Sequence, residues 1–150
     1  MARTSRTSPG GAAAVDRVLL EDAPYARLPA ACKRALRAFA DVPSAKDPVL
    51  ERFRHEYHYR YELVPAEEAK RFCMALWSPE MRQEFASFDD YHKWYLRAND
   101  VPDHGQSRWP CIRSAPAGRS ADDEWLTDGW HRFHAYIRAG DATIPVLTIL

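Results

Sequence analysis

At 150 residues the chain has room for one domain with a sizeable core and too little for two. With 46% hydrophobic and 28% charged residues and a formal net charge of zero, it is neither a disordered polyelectrolyte nor a non-specific binder of polyanions. Cys32, Cys73 and Cys111 are widely spaced, odd in number and free of any CxxC, so neither a disulfide scaffold nor a zinc knuckle is indicated and a reducing compartment is expected. No segment has the apolar length of a signal peptide or a membrane span, which makes the cytoplasm the expected location and gives no membrane partner. Residues 1–60 carry 11 Lys/Arg against 7 Asp/Glu, and residues 61–150 carry 10 against 14, so any contact with nucleic acid must be local.

Residues 1–15, rich in Ser, Thr, Gly, Ala and Arg, read as a disordered arm. Residues 16–56 read as an N-terminal helical extension. Its clearest part is "LPAACKRALRAFADVP", where Pro29 opens a helix, Cys32, Leu36 and Phe39 share one face, and Pro43 closes it. From Tyr57 a domain is expected to run to Leu150. "YHYRYELV" alternates Tyr57, Tyr59, Tyr61 and Leu63 with polar residues, a strand whose tyrosine row is its buried face.

Three helical stretches follow. "PAEEAKRFCMALW" starts at Pro65 with acids in its first turn and is expected to bury Phe72, Cys73 and Leu76. "SPEMRQEF" begins with Ser78 as cap and Pro79 behind it. "SFDDYHKWYLRAND" offers Tyr91, Trp94, Tyr95 and Ala98 as its apolar stripe. "SRWPCIR" reads as a second strand, "SAPAGRSADD" as a loop, "EWL" as a short third strand, and "TIPVLTIL" as a central strand apolar on both faces. The fold class is α+β, a small mixed sheet with flanking helices.

Between the last two of these strands lies "TDGWHRFHAY". Asp128 or Thr127 caps a helix running from Trp130 to Ala139, Gly129 permits a tight turn, and Gly140 ends it. Trp130, Phe133 and Ile137 form the face that packs on the sheet. His131 and Arg132 then stand in the first turn, where helices ordinarily place acids. Free amides, a glycine that allows close approach and two cationic side chains make a phosphate cradle. The competing reading is an ion pair between Asp128 and Arg132, four residues apart, with His131 simply solvated.

"DGWHR" followed by "AYIRAGDATIPVL" resembles the signature of the ParB/sulfiredoxin-like superfamily, in which a strand enters a Gly-x-His/Arg-Arg turn, a helix follows and a "TIPV" strand closes the unit. "HGQSRWPCIR" is similar to the preceding strand of that family, and "YRYELVPAEEAKRF" is placed like its first strand and helix. The resemblance spans roughly residues 57–150 and is densest over 124–147. It implies a nucleotide phosphate site at Gly129, Trp130, His131 and Arg132, with ATP or a related nucleotide as ligand. Trp130 stands where sulfiredoxins carry their catalytic cysteine, so the likeness does not extend to sulfinic acid reduction, which needs a thiolate. His131-Arg132 replaces the paired arginines of ParB proteins and leaves CTP preference open. The chain stops at Leu150, short of the DNA-binding and dimerisation domains of partition proteins, and a stand-alone member is expected. Such members include Osa-type plasmid conjugation (fertility) inhibitors, whose activity is directed at ATP and DNA.

Two functions are therefore expected in parallel. One is a nucleotide-binding enzyme that hydrolyses ATP or cleaves DNA as a nuclease, with Asp128, His131 and Arg132 as catalytic residues and Asp128 as the candidate Mg²⁺ ligand. The other is a non-catalytic module on the same fold that blocks conjugation or partition machinery. Three further constellations stay in view. His131 and His134 are spaced to share a zinc ion with Cys111 or Asp128, although helical HxxH alone is a sparse ligand set. Asp122, Asp123, Glu124 and Asp128 form an acidic cluster, more simply read as a solvated loop plus a cap. Trp109 with Arg108, Arg113 and Arg119 offers a surface for single-stranded nucleic acid, against the plainer reading of Trp109 as core.

Overall fold

A computed structural model of the chain describes residues 17–40, 48–103, 108–114 and 124–150. The expected arm and the loop holding Arg119, Asp122 and Asp123 lie outside those residues. Four strands form one sheet: β1 (Val18–Pro24), β2 (His58–Pro65), β3 (Cys111–Ser114) and β4 (Thr143–Ile149), in the order β1-β2-β4-β3. The centre is the antiparallel pair β2–β4, in register from Tyr59↔Ile149 to Pro65↔Thr143. β1 adds antiparallel to β2, and β3 runs parallel to β4. The sheet is thus mixed, as the α+β reading requires, and the apolar closing run is one of its two interior strands.

Helices cover both faces. On the tyrosine side α1 (Ala30–Ala40) and α2 (Pro48–His55) close over Tyr59, Ile112 and Leu147, with Leu28, Cys32 and Leu36 filling the contact. The Tyr59 hydroxyl donates to Phe53 O at 2.6 Å and ties α2 to the sheet. On the other side α3 (Ala66–Ala75), α4 (Pro79–Glu84), α5 (Phe88–Ala98) and α6 (Trp130–Ala139) pack over Val64, Ile144 and Val146. Ser78 and Ser87 cap α4 and α5, their hydroxyl oxygens accepting from Met81 N and Asp90 N at 3.2 Å. No helix among the described residues is long and apolar enough to cross a membrane.

Four local expectations need correction. The described part of 16–56 holds two α-helices, a 3-10 turn (Tyr25–Arg27) and also strand β1, whose alternation is scrambled by two register shifts and by Asp22 in the left-handed region at φ 51°. "EWL" forms no strand, because no ladder pairs Trp125 or Leu126 and only an isolated bridge, Ile112↔Asp128, follows them. Phe72 is 39% exposed, since α3 turns Ala69 and Cys73 to the core instead. In α5 the Ser87 cap starts the helix at Phe88, and the covered stripe is Phe88, Tyr91, His92 and Tyr95, leaving Trp94 41% exposed and Ala98 outside.

Burial sets the expected response to truncation. Leu36→Ala should cost about 2–5 kcal/mol, because it empties a fully enclosed site. Phe72→Ser should stay within about 1 kcal/mol. Urea unfolding of the two variants measures both, and equal losses would contradict this assignment of faces.

Candidate functional site

The start of α6 is held by one residue of β3. Ile112 N donates to Asp128 O at 3.0 Å, and Ile112 O accepts from Thr127 N at 2.8 Å and Asp128 N at 3.2 Å. Gly129 then turns the chain with φ +93°. A Cβ there would sit 2.9 Å from Arg132 Nη2 and 3.1 Å from Cys111 Cα, so both the backbone conformation and the space demand glycine. The helix that follows has no side-chain cap and no acid in its first turn, unlike α4 and α5. It ends at Gly140, φ +76°, whose N–H returns to Ile137 O at 3.0 Å.

Of the residues expected at the cradle, Asp128 does not cap. Its carboxylate accepts from Arg132 Nη2 at 3.3 Å, the ion pair that the spacing allowed. Arg132 also donates through Nε to Pro110 O at 3.2 Å and lies 5.9 Å over the Trp109 ring, leaving its side chain 11% exposed. His131 turns the other way, its Nδ1 2.6 Å from the Tyr95 hydroxyl. The two basic groups thus diverge from the turn instead of converging on one point beyond it. Trp130 lies back over the core and donates from Nε1 to Glu124 at 2.9 Å.

The other constellations come apart in a similar way. His134 is fully buried, with Nδ1 2.7 Å from His92 Nδ1 and Nε2 3.3 Å from the Tyr91 hydroxyl. Both its nitrogens are therefore engaged on the far side of α6 from solvent, and it shares no metal position with His131. Among the described residues no group of three His, Cys, Asp or Glu side chains is arranged to hold a metal ion. Glu124 and Asp128, the described members of the acidic cluster, serve separate partners. Arg108 pairs with Asp141 at 2.8 Å, and Arg113 donates to Trp125 O at 3.0 Å, so both guanidinium groups are engaged within the fold.

Sequence reasoning missed a cavity of about 150 Å³ beside the same turn. Cys73, Leu76, Trp77, Met81, Tyr91, Tyr95, Glu124, Trp125 and Trp130 line it. The spacing of Tyr91 and Tyr95 marked one wall as apolar, but nothing local brings Trp77, Trp125 and Trp130 to the others. Behind Tyr95 the His134 ring stacks at 3.7 Å and 12°. Burial, and after it the charges of His92 and His131, depress the His134 pKa to about 3. Burial also lowers that of His92, with Asp89 opposing and Lys70 and Arg138 adding to the shift. Two neutral imidazoles meeting Nδ1 to Nδ1 share a single proton, and a second proton on the pair would set positive charge against positive charge in the core.

Comparison of the chain with family models, with curated proteins and with solved structures finds no match in any of the three.

Two outcomes test this geometry. Gly129→Ala should destabilise by about 1–3 kcal/mol, since a left-handed residue also meets a steric limit here, whereas Gly140→Ala, with open space around it, should cost less. His134 is neutral in the fold, while its unfolded value is near 6.5, so between those limits the unfolded chain binds the extra proton. Its contribution to stability is complete above about pH 6.5 and is lost as pH falls toward 3. Melting temperatures across that range should show the loss, and His134→Gln should flatten it. An unchanged slope in the variant would place the proton uptake elsewhere.

Proposed function

We propose that the chain binds the phosphates of a nucleotide, ATP or a relative, at the turn that opens α6, as a protein of the ParB/sulfiredoxin-like kind. The observation that carries this is an uncapped helix start behind a left-handed glycine, with the Arg132 guanidinium packed against that glycine. Free amides at such a start attract anionic oxygens, and the helix dipole adds to the attraction. Arg132 keeps its Pro110 and Trp109 contacts, and its pair with Asp128 is the exchangeable one. Its partner Asp128 is 40% exposed, and an i,i+4 pair of this kind is worth roughly 0.3–0.5 kcal/mol, less than a charge-assisted contact to phosphate. His131 faces Tyr95 on the other side of the helix, so Arg132 is the cation at this turn. Phosphoryl chemistry, either ATP hydrolysis or Mg²⁺-assisted DNA cleavage, would call on Asp128 and would require it to release Arg132. The proposal itself concerns binding.

A second reading, a non-catalytic module that docks on a protein such as a conjugation or partition component, has its own support. Phe72 and Trp94, on helices α3 and α5, are 39% and 41% exposed, and large exposed aromatics anchor protein interfaces.

Thermal unfolding separates the two. A nucleotide at a hundred times its dissociation constant adds about 2.7 kcal/mol, a midpoint shift of roughly 5–10 °C for a chain of this size. The shift should vanish in Arg132→Ala and persist or grow in Asp128→Asn, which frees the guanidinium. No shift with ATP, CTP or GTP, with and without Mg²⁺, rules out the nucleotide and leaves the docking module.

A further inference from the structure

The aromatic cavity beside α6 plays no part in the phosphate reading, and its chemistry has the opposite sign. We propose that it binds a small alkylated ammonium compound, with a trimethylammonium-type head group held among Trp77, Tyr91, Tyr95, Trp125 and Trp130 and balanced by the Glu124 carboxylate.

Size and shape select a compact guest. About 150 Å³ is the scale of a cavity that takes up benzene. A flat ring, however, needs parallel plates, and neighbouring rings of this wall stand across one another. Trp77 and Tyr91 meet at 70°, and Tyr91 and Tyr95 at 63°. Rings set on different walls suit a rounded group that touches several of them at once. Indole and phenol rings attract a cation through their negative faces, tryptophan most strongly, and Met81 adds a polarisable sulfur.

The electrostatics point the same way. Among the described residues no lysine or arginine lines the cavity, and the one carboxylate is Glu124, which Trp130 Nε1 holds in place at 2.9 Å. Glu124 has no salt-bridge partner among the described residues. Burial raises the pKa of Cys73, to about 12, and those of Tyr91 and Tyr95, and the nearby Glu124 carboxylate pushes all three the same way. Trp125 Nε1 is buried and has no hydrogen-bond partner among the described residues.

The test is a tryptophan fluorescence titration of the full chain in nucleotide-free buffer at matched ionic strength, since Trp77, Trp125 and Trp130 report directly from the wall. Tetramethylammonium and choline should perturb the emission saturably. The neutral isostere of choline, 3,3-dimethyl-1-butanol, should bind roughly tenfold more weakly or worse. Glu124→Gln, at an exposed position, should weaken choline by a similar factor and leave the butanol unaffected. A trimethyllysine peptide titrated alongside identifies the source of the head group. Tighter binding than choline assigns it to a modified protein tail, and weaker binding assigns it to a free small molecule. Equal binding of choline and its isostere, or no saturable response to any of the ammonium probes, overturns the proposal whatever the nucleotide experiment gives.

Discussion

The backbone of Ile112 fixes the geometry of everything proposed for this protein. Its N–H and C=O reach across to Thr127 and Asp128 while its own strand is laid parallel to β4, so the last residues before α6 are fastened to the sheet. That fastening sets where Gly129 turns, and therefore which way each residue of the first turn faces. Arg132 falls toward Pro110 and Trp109, His131 toward Tyr95, and Trp130 over the cavity. Three adjacent residues thus enter three environments. The side chain of Ile112 lies in the core on the tyrosine side, so packing under one face of the sheet supports the site above the other.

Much of the architecture was readable where the signal is local. The Gly129 and Gly140 limits of α6, the Ser78 cap and the alternation of β2 depend on neighbours in sequence, and each lies within a residue or so of its expected place. The apolar closing run gave a central strand for the same reason. What could not be read depends on distant partners. β1 is a strand because β2 offers it an edge, and its bulges leave no alternation to detect. Phe72 and Trp94 look like core residues by type, yet the sides from which neighbouring helices approach leave both largely in solvent.

The candidate site divides along the same line. Spacing showed that Asp128 and Arg132 were able to pair, but it had no means of adding the Pro110 carbonyl and the Trp109 ring that hold the guanidinium on one side. His134, read as a possible metal ligand, is enclosed with His92 and Tyr91, a contact 42 residues apart in the chain. The Gly129 turn itself sits in the parallel β3–α6–β4 crossover of the mixed sheet.

The three cysteines carry a practical consequence. Burial raises each thiol to about 12, with Cys32 beneath the tyrosine side and Cys73 and Cys111 under the opposite layer. A thiolate is the reactive species, so an alkylating reagent gains access only when a layer lifts away. The order in which the three become labelled therefore records which half of the molecule breathes first, with no foreign probe introduced.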